Sequence, residues 1–482
     1  MNWILIADIL YILVLVPVSL RIIHDTNSSS KTIAYLLLVI FLPVLGIFFY
    51  FSFGINYHKR QLYSKKLTED DALRQELETR IISKTELNLQ TNQEAIQDAE
   101  GLVTLLLKDS WSPLTGGNQV KLLFNGEEKF PELLQALQAA THHIHLEYYI
   151  YENDTIGNRI KEVLIQKARE GVQVRMIYDD FGSRSIRKKV VQELRAAGVE
   201  AYPFHKIKLI YFANRLNYRN HRKIIVVDGA CGFVGGINIS DRYINTPGGE
   251  NERYWRDTHL RIDGPGTFYL QYLFFCDWNF CSKQQLAPEP VYFSTHRHPG
   301  NVSVQIAASG PDSPTATIML SLFKAINLAK KEILITTPYF IPGESLLDAL
   351  KAAALSGVSV KVLTPHVSDS RLVNAAAWSY YEDLMKAGVE IYLYQKGFVH
   401  AKTLVVDSYL AIVGTANMDA RSFDLNFEVN ALVYNHEIAD QLAAAFQEDL
   451  KNAEKIEKEA WLSRPKSRKL LERIARLLSP LL

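Results

Sequence analysis

Two short segments of the chain repeat one pattern of polar residues. Both read H-x-K-x4-D-x6-G-[GT]-x-N, and the histidine and the asparagine are 17 positions apart in each. The matching residues are His221, Lys223, Asp228 and Asn238 in the first copy and His400, Lys402, Asp407 and Asn417 in the second. Chance agreement at so many positions is very improbable. The two segments are therefore predicted to be two copies of one functional unit.

The residue types in this pattern suit attack on a phosphodiester. Side chains alternate along a strand, so the histidine and the lysine of each copy share one face. Histidine serves as a nucleophile or as an acid–base near neutral pH, and lysine and asparagine hold charged phosphate oxygens. Asp228 and Asp407 are grouped with the catalytic residues, although capping the turn after each strand fits them equally well. Displacing a poor leaving group needs an imidazole on each side of phosphorus, which two facing copies would supply.

The repeat extends well beyond the motifs and predicts the fold. Apolar runs typical of strands alternate with helical ones, which is the signature of an α/β fold. Gly171 and Gly357, which end matching helices, are 186 positions apart, and the matching strands VQVRMIYDD and VSVKVLTPH follow them. The pattern predicts two similar α/β lobes, residues 111–290 and 291–448, related by a pseudo-twofold axis.

Two apolar runs precede the lobes. Residues 3–20 contain one charge, Asp8, and residues 33–55 contain none. Since a membrane-spanning helix needs about 20 predominantly apolar residues, residues 1–58 are predicted to form a two-helix transmembrane hairpin. One span with an interfacial helix, or a cleaved signal peptide, are the alternatives.

The residues after the second apolar run indicate the orientation. Lys59, Arg60, Lys65 and Lys66 make this flank more basic than the turn between the two runs. Basic flanks lie on the cytoplasmic side, so the lobes are predicted to be cytoplasmic. Residues 59–110, which are charged and favour helices, are predicted to form a connector of surface helices.

The chain ends in a predicted basic amphipathic tail, residues 449–482. On a helix its apolar side chains form one stripe, with lysines and arginines elsewhere. The stripe residues are Leu470, Leu471, Ile474, Leu477 and Leu478. The pattern fits a helix that lies on anionic lipid, and ordinary packing on the catalytic body is the alternative.

Composition narrows the function classes. The chain has 482 residues and a formal charge of +1, which gives no overall reason to expect nucleic-acid binding. Its three cysteines show no zinc spacing. The histidine run at 142–145 fits strand or surface histidines better than a metal cluster. No GxxxxGK[ST] phosphate loop occurs, and neither a metal nor another cofactor is predicted.

The motifs resemble those of the phospholipase D superfamily, which carries HxKxxxxD twice, followed by GGxN or GTxN. Within it the chain is most similar to the bacterial cardiolipin synthases. This narrower resemblance rests on the paired N-terminal apolar runs and on the segments NHRKIIVVDG, GFVGGINISDRY, YWRDTHLRIDGP, DWNF, TTPYFIP, FVHAKTLVVD and VGTANMDARSF. It covers essentially the whole chain.

The resemblance implies a metal-independent phosphatidyl transfer in two steps. His221 would attack the phosphorus of phosphatidylglycerol and form a phosphatidyl-histidine, while His400 protonates the departing glycerol. His400 would then act as the base on a hydroxyl of a second phosphatidylglycerol, which gives cardiolipin. The family also implies a carboxylate behind each histidine, supplied here by Asp257 and Glu428, and phosphate contacts from Asn238 and Asn417.

The resemblance further implies a multi-pass protein of the bacterial plasma membrane whose partners are phosphatidylglycerol, cardiolipin and an anionic membrane surface. A phospholipase D-type hydrolase, or a transferase that uses another alcohol, is the first alternative. A non-catalytic membrane scaffold is the second, although the intact histidines and lysines disfavour it. A nuclease is disfavoured by the near-zero charge.

Overall fold

The computed structural model describes residues 3–25, 29–51, 71–204, 218–245, 253–294 and 300–479. The helices are α1 (Trp3–Asp25), α2 (Ser29–Phe41), α3 (Pro43–Phe49), α4 (Asp71–Thr91), α5 (Gln93–Ile96), α6 (Glu100–Ser110), α7 (Asn125–Ala139), α8 (Thr155–Arg169), α9 (Lys189–Ala196), α10 (Thr267–Ser282), α11 (Thr317–Leu328), α12 (Gly343–Leu355), α13 (Arg371–Ala387), α14 (Ala420–Asp424), α15 (His436–Leu450), α16 (Lys458–Leu462) and α17 (Lys466–Leu477).

The strands are β1 (Thr115–Phe124), β2 (His143–Tyr148), β3 (Gln173–Tyr178), β4 (Glu200–Pro203), β5 (Arg219–Asn220), β6 (Lys223–Val227), β7 (Cys231–Gly235), β8 (Tyr254–Arg256), β9 (Thr258–Asp263), β10 (Val302–Ser309), β11 (Glu332–Thr336), β12 (Ser359–Pro365), β13 (Glu390–Tyr394), β14 (Gly397–Val399), β15 (Thr403–Val406), β16 (Leu410–Gly414), β17 (Asn426–Tyr434) and β18 (Ala453–Lys455).

One continuous sheet runs through both lobes. Its order is β18-β13-β12-β11-β15-β16-β17-β10-β1-β9-β7-β6-β2-β3-β4, with β5 beside β17. Outward from the central antiparallel pair β1–β10, the two halves use matching strands in the same order. In each half, parallel strands connected by helices adjoin the antiparallel strands that carry the motif. The predicted α/β fold is confirmed, and the order of the strands explains the internal repeat.

Two short strand pairs cross from one lobe to the other. Strand β5 runs parallel to β17, with Arg219 opposite Asn426. Strand β14 runs parallel to β8, with Val399 opposite Arg256. Both β5 and β14 end at the residue immediately before a motif histidine. Backbone hydrogen bonding therefore fixes each histidine against the opposite lobe.

The last helix of the connector, α6, differs from the surface helices that the sequence predicted. Helix α6 buries Leu102, Val103 and Leu106, which belong to the hydrophobic core of the second lobe. These residues lie at positions i, i+1 and i+4, and such spacing puts apolar side chains on one helix face. Helix α6 is therefore part of the second lobe. The first part of the connector, residues 59–70, lies outside the described residues.

The N-terminal apolar runs form α1, α2 and α3, with Pro43 beginning α3. Val18 and Ile22 of α1 pack against Val39 of α2. Among the residues described, no helix combines the length and the apolarity needed to cross a bilayer. The turn at 26–28 and the basic flank of residues 59–66 lie outside the described residues, so the hairpin and its orientation stay predictions.

The C-terminal helix α17 is attached to α13 by its polar face. Arg464, just before α17, holds the buried Glu472 through both guanidinium nitrogens at 2.7 and 2.8 Å. Lys469 is 3.3 Å from Glu382, and Arg476 is 3.5 Å from Asp383. The apolar stripe consequently faces away from the body. Its exposed fractions are 59% for Leu470, 67% for Leu471, 50% for Ile474, 78% for Leu477 and 40% for Leu478.

Candidate active site

The two motif histidines meet at the interface between the lobes. The backbone N–H of His221 donates to the carbonyl of Phe427 at 2.9 Å, and that of His400 donates to the carbonyl of Arg256 at 2.7 Å. Each acceptor is the residue immediately before a predicted supporting carboxylate. The interlobe strand pairs thus deliver each imidazole to a carboxylate of the opposite lobe.

Each imidazole is paired with one buried carboxylate. His221 Nδ1 donates to Glu428 Oε2 at 2.9 Å, and His400 Nδ1 donates to Asp257 Oδ2 at 2.7 Å. The carboxylates of Asp257 and Glu428 are fully buried. A carboxylate on Nδ1–H fixes the ring and its tautomer and stabilises an imidazolium. Nε2 of each ring is then the nitrogen that can exchange a phosphoryl group or a proton.

The two lysines lie beside the histidines of their own motifs. Lys223 Nζ donates to the carbonyl of His221 at 2.9 Å. Lys402 Nζ donates to the carbonyl of His400 and lies 2.8 Å from His400 Nδ1. Burial lowers the pKa of Lys223 to about 7 and that of Lys402 to about 8, although the nearby carboxylates oppose the shift. The two ammonium groups would regain a counter-charge from a bound phosphodiester.

Both imidazoles are neutral near pH 7. Burial lowers the pKa of His221, and Glu428 partly offsets this effect. Burial, followed by the Lys402 ammonium, lowers the pKa of His400 to about 4. Each lysine also lowers the pKa of the histidine in the other lobe. All four side chains therefore act on one electrostatic centre between the lobes.

Asp228 and Asp407, which were predicted to act in catalysis or to cap turns, make hydrogen bonds to the backbone. Asp228 accepts hydrogen bonds from the backbone N–H groups of residues 141–143, at 2.8–2.9 Å. Asp407 accepts from those of residues 330–332, at 2.6–2.8 Å. Each aspartate is at the far end of its strand from the lysine, about 16 Å away at roughly 3.3 Å per residue. Their role is to cap the start of the neighbouring strands β2 and β11.

The two asparagines are buried in the turns after β7 and β16. Asn238 donates to the Tyr243 hydroxyl at 2.8 Å and accepts from the backbone of Ile150 at 3.3 Å. Asn417 donates to Asp419 at 3.1 Å, and its Oδ1 has no partner among the described residues. The structure places both on the loops that follow the motif strands. Their contact with phosphate stays a prediction.

The histidine run at 142–145 belongs to the core. His145 is in hydrogen-bond contact with Gln271, with its Nδ1 2.9 Å from the amide Nε2, and the ring stacks on Phe274 with centroids 4.4 Å apart. Burial lowers the pKa of His143 to about 4. Within the described part of the chain, no group of three or more histidine, cysteine, aspartate or glutamate residues could hold a metal ion.

Sequence reasoning did not identify a buried charge pair behind His221. Arg222 Nη1 donates to Asp277, and its Nε donates to the carbonyl of Glu428 at 3.4 Å. Burial, followed by the neighbouring Asp277 carboxyl, raises the pKa of Glu147. The side-chain amide of Asn220 donates a hydrogen bond to Glu147. The available signal was the middle residue of H-x-K, which is arginine in the first copy and alanine in the second.

A hydroxyl on the Glu428 side was also missed. Thr415 Oγ1 donates to Glu428 Oε2 at 2.5 Å and is fully buried. The corresponding residue in the first copy is Gly236, which has no side chain to offer. The G-[GT] difference between the two motifs was the signal in this case.

Comparisons with known proteins identify the family. A family model described as "Cardiolipin synthase, PLD-like domain" matches residues 133–253 and 322–450. A second model, "Phospholipase_D-nuclease N-terminal", matches residues 9–54. The solved phosphatidylserine synthase of Haemophilus influenzae Rd KW20 superposes with a TM-score of 0.58 at 14% identity, covering 80% of this chain and 100% of that one. At this identity the likeness concerns the fold alone.

Curated relatives are similar over nearly their whole length. The chain is 42% identical to "Major cardiolipin synthase ClsA" of Bacillus subtilis (strain 168), with 99% of each protein covered. It is 43% identical to a cardiolipin synthase of Geobacillus sp. (strain WCH70), with 95% of the chain and 90% of the relative covered. For a cardiolipin synthase of Listeria monocytogenes serotype 4b (strain CLIP80459), the values are 39%, 99% and 100%. The chain belongs to the cardiolipin synthase family of the phospholipase D superfamily.

Proposed function

We propose that this enzyme transfers the phosphatidyl group of one phosphatidylglycerol to a hydroxyl of another, forming cardiolipin and free glycerol through a phosphohistidine. The observation that carries the proposal is the pair of interlobe contacts, His221 with Glu428 and His400 with Asp257. Two oriented imidazoles with two lysines meet the needs of a double displacement at phosphorus. The names of the relatives support the choice of substrate.

In the first step, Nε2 of His221 attacks phosphorus and the bond to the glycerol oxygen breaks. His400 gives a proton to that oxygen. His400 must therefore carry a proton while substrate is bound, although its pKa is about 4 in the free site. The phosphodiester brings a negative charge beside the ring, and a nearby opposite charge raises the pKa of an imidazolium. Substrate binding would thus favour the protonated form of His400, which then acts as the acid.

In the second step, His400 removes a proton from the acceptor hydroxyl. The acceptor oxygen bonds to phosphorus as the phosphorus–Nε2 bond to His221 breaks, and His221 returns to its neutral form. Lys223, Lys402 and the amides of Asn238 and Asn417 would neutralise the non-bridging oxygens. The phosphohistidine keeps the phosphoryl group activated, so no nucleotide is consumed.

A product assay tests this function. Full-length protein in detergent receives phosphatidylglycerol alone, with excess EDTA, and His221→Ala/His400→Ala protein is the control. Cardiolipin and glycerol in equal amounts are expected from the unmodified chain only. Phosphatidic acid without cardiolipin would make water the acceptor. Turnover that begins only when another alcohol is added would make the chain a different phosphatidyltransferase.

The same proposal includes a membrane location. Residues 1–58 would form a two-helix hairpin in the bacterial plasma membrane, with the lobes on the cytoplasmic side. The match of residues 9–54 to an N-terminal family model supports a shared N-terminal unit. A hairpin would hold the interlobe site near the headgroups. Cysteine labelling at the turn between the apolar runs, from outside the cell, tests the orientation and should succeed.

Helix α17 would contact the membrane through its exposed stripe. A surface helix ordinarily buries its apolar face, whereas α17 uses its basic residues to hold α13 and leaves its leucines outside. Exposed Lys466 and Arg473 flank the stripe. An apolar face with basic flanks is typical of helices that lie in anionic lipid.

Quenching by brominated phosphatidylglycerol tests this contact in full-length protein reconstituted into vesicles. We expect Leu471→Trp to add tryptophan fluorescence that the bromine atoms quench. Leu355→Trp is the matched control, because Leu355 is also exposed, at 72%, but ends α12. Equal quenching of both variants would contradict a specific role of α17.

A further inference from the structure

The residue two positions before each catalytic histidine differs between the lobes. It is Arg219 before His221 and Phe398 before His400. On extended chain, residues i and i+2 point to the same side, so these two side chains share a side with the imidazole that follows. Arg219 is 4% exposed and lies opposite Asn426 of the second lobe. A buried arginine therefore lies two residues before His221, where the second motif has a phenylalanine.

Two further arginines share this region. The guanidinium carbons of Arg219 and Arg184 lie 4.6 and 3.9 Å from the centre of the Phe181 ring. Arg421, at the start of α14, is close enough to Arg219 for their positive charges to disfavour each other. The Tyr149 ring lies 4.8 Å from the His221 ring. Burial raises the pKa of Tyr149, and the positive charges of Arg219 and Arg421 oppose this rise. One lobe supplies Arg184 and Arg219, and the other supplies Arg421.

The acidic residue beside Arg219 is Asp179. It lies 3.9 Å from Arg219 Nη1, which makes no hydrogen bond within the described part of the chain. Its carboxylate instead accepts from the backbone N–H groups of Phe181, Gly182 and Asn220. The carboxylate beside Arg219 is thus already occupied by backbone donors, and Asp419 is the acidic neighbour of Arg421. An incoming anion would supply the acceptor that Arg219 Nη1 lacks.

The corresponding region of the other motif is aromatic. The rings of Phe398 and Trp255 lie 5.8 and 5.7 Å from the His400 ring. Arg242, the counterpart of Arg421, is 3.7 Å from Glu152. Arg253 lies 4.8 Å from the centre of the Phe398 ring, so a cation is present here too, and what distinguishes the first motif is the buried arginine two residues before its histidine.

We propose that Arg219 and Arg421, with the exposed Arg184 beside Phe181, bind a second phosphodiester, in addition to the one that reacts. The inference rests on the proposed function, because a product with two phosphates joined by one glycerol requires a second anion beside the first. The ligand is the phosphate of an anionic phospholipid, either the acceptor before transfer or the product after it. Water and simple alcohols have no such group.

Competing acceptors test this subsite in full-length protein. Arg421→Ala is compared with Arg242→Ala, its counterpart in the other lobe, on phosphatidylglycerol in mixed micelles with and without ethanol. Loss of one charge-assisted contact predicts a 10- to 100-fold rise in the acceptor KM for cardiolipin formation. Phosphatidylethanol formation should change less than threefold in Arg421→Ala, and Arg242→Ala should leave both products near normal.

Arg219→Lys, which keeps the buried charge, should give a smaller loss in the same direction. Added cardiolipin separates the two sources of the phosphate. Inhibition by cardiolipin that disappears in Arg421→Ala, with an unchanged acceptor KM, would assign the subsite to the product. A parallel fall of both products in Arg421→Ala, or equal effects of the two alanine variants, would overturn the subsite. If the unmodified chain forms phosphatidylethanol but never cardiolipin, the proposed function fails instead.

Discussion

Around His221 the motif includes the buried Arg222, whereas the same position before Lys402 is Ala401. Arg222 joins Asp277 of α10 to the carbonyl of Glu428. Arg222 of the first lobe thereby fixes strand β17 of the second lobe, whose Glu428 supports His221. His400 has no equivalent arginine in its motif. Two motifs with one spacing therefore depend on different supports.

The carboxylates differ in a related way. Asp257 lies directly over Gly236, where an added Cβ would be 2.1 Å from Oδ1. The longer Glu428 reaches His221 with room for the Thr415 hydroxyl, which donates to it. The second glycine of GGxN and the threonine of GTxN are thus matched to a short and a long carboxylate. The two motifs are nearly the same in sequence, but the carboxylates beside their histidines are packed differently.

The largest expected difference between the two sites is the one between nucleophile and acid. With a phosphatidyl 4-nitrophenyl ester, the leaving group needs no proton. His400→Ala should therefore still release one equivalent of nitrophenol in a burst, at a rate close to that of the unmodified chain, because the missing general acid is not needed for this leaving group. His221→Ala should lose at least about 10⁴-fold, because no covalent intermediate forms. Stopped-flow absorbance measures the burst, and mass spectrometry should find the phosphatidyl group on His221.

A burst in His221→Ala together with its absence in His400→Ala would exchange the two roles. A burst in neither variant would mean that both imidazoles are needed for the first displacement even with a good leaving group. In either case the interlobe pairing of the histidines would still hold, since it rests on contacts rather than on kinetics.

The next largest difference is the dependence on Arg222. Arg222→Ala leaves Asp277 buried without a cation beside Glu147, and breaking a buried ion pair in this way costs about 3–5 kcal/mol. Ala401→Gly should cost less than about 1 kcal/mol. The measurement is the free energy of unfolding in denaturant. The double variant Arg222→Met/Asp277→Leu, which removes both charges, should recover much of the loss.

The pairings just discussed mark the limit of what the sequence predicts. The repeat, the lobes and the positions of the histidines and lysines can be predicted because each is recognised from a continuous stretch of sequence. The partners of His221 and His400 are 207 and 143 positions away, so only the interlobe strands reveal which carboxylate serves which histidine. The motif groups Asp228 with the lysine, whereas a strand's length separates them in the structure. For the Arg222–Asp277 pair, the only local signal is the middle residue of H-x-K, and it does not reveal the partner.

The packing around the carboxylates predicts a third contrast. Gly236→Ala forces Asp257 away from His400, and overpacking of this kind costs about 1–3 kcal/mol. Thr415→Ala removes one hydrogen bond from a charged group, with an expected cost of about 1.5–3 kcal/mol. The two costs overlap, so activity is the more telling measurement. It should fall further in Gly236→Ala, because that variant displaces the carboxylate itself.

Thr415→Ser keeps the hydroxyl and should stay within about twofold of the unmodified activity, which makes it the matched control for Thr415→Ala. If Gly236→Ala keeps both stability and activity, Asp257 tolerates displacement and the match between carboxylate length and the GGxN glycine is wrong.

The smallest expected contrast concerns the two lysines. Lys223 and Lys402 have pKa values of about 7 and about 8, and each holds phosphate only while it is protonated. As the pH rises through these values the positive charge is lost, so kcat/KM should fall above pH 7. Lys223→Arg keeps its charge, since arginine stays protonated, and should move the alkaline limb upward by about one pH unit, to that of Lys402. Lys402→Arg should leave the limb near 7. The pH profiles of kcat/KM are normalised to each variant's own maximum, which separates this shift from any loss caused by arginine geometry. Identical alkaline limbs in the two variants would mean that a different group controls the fall in kcat/KM.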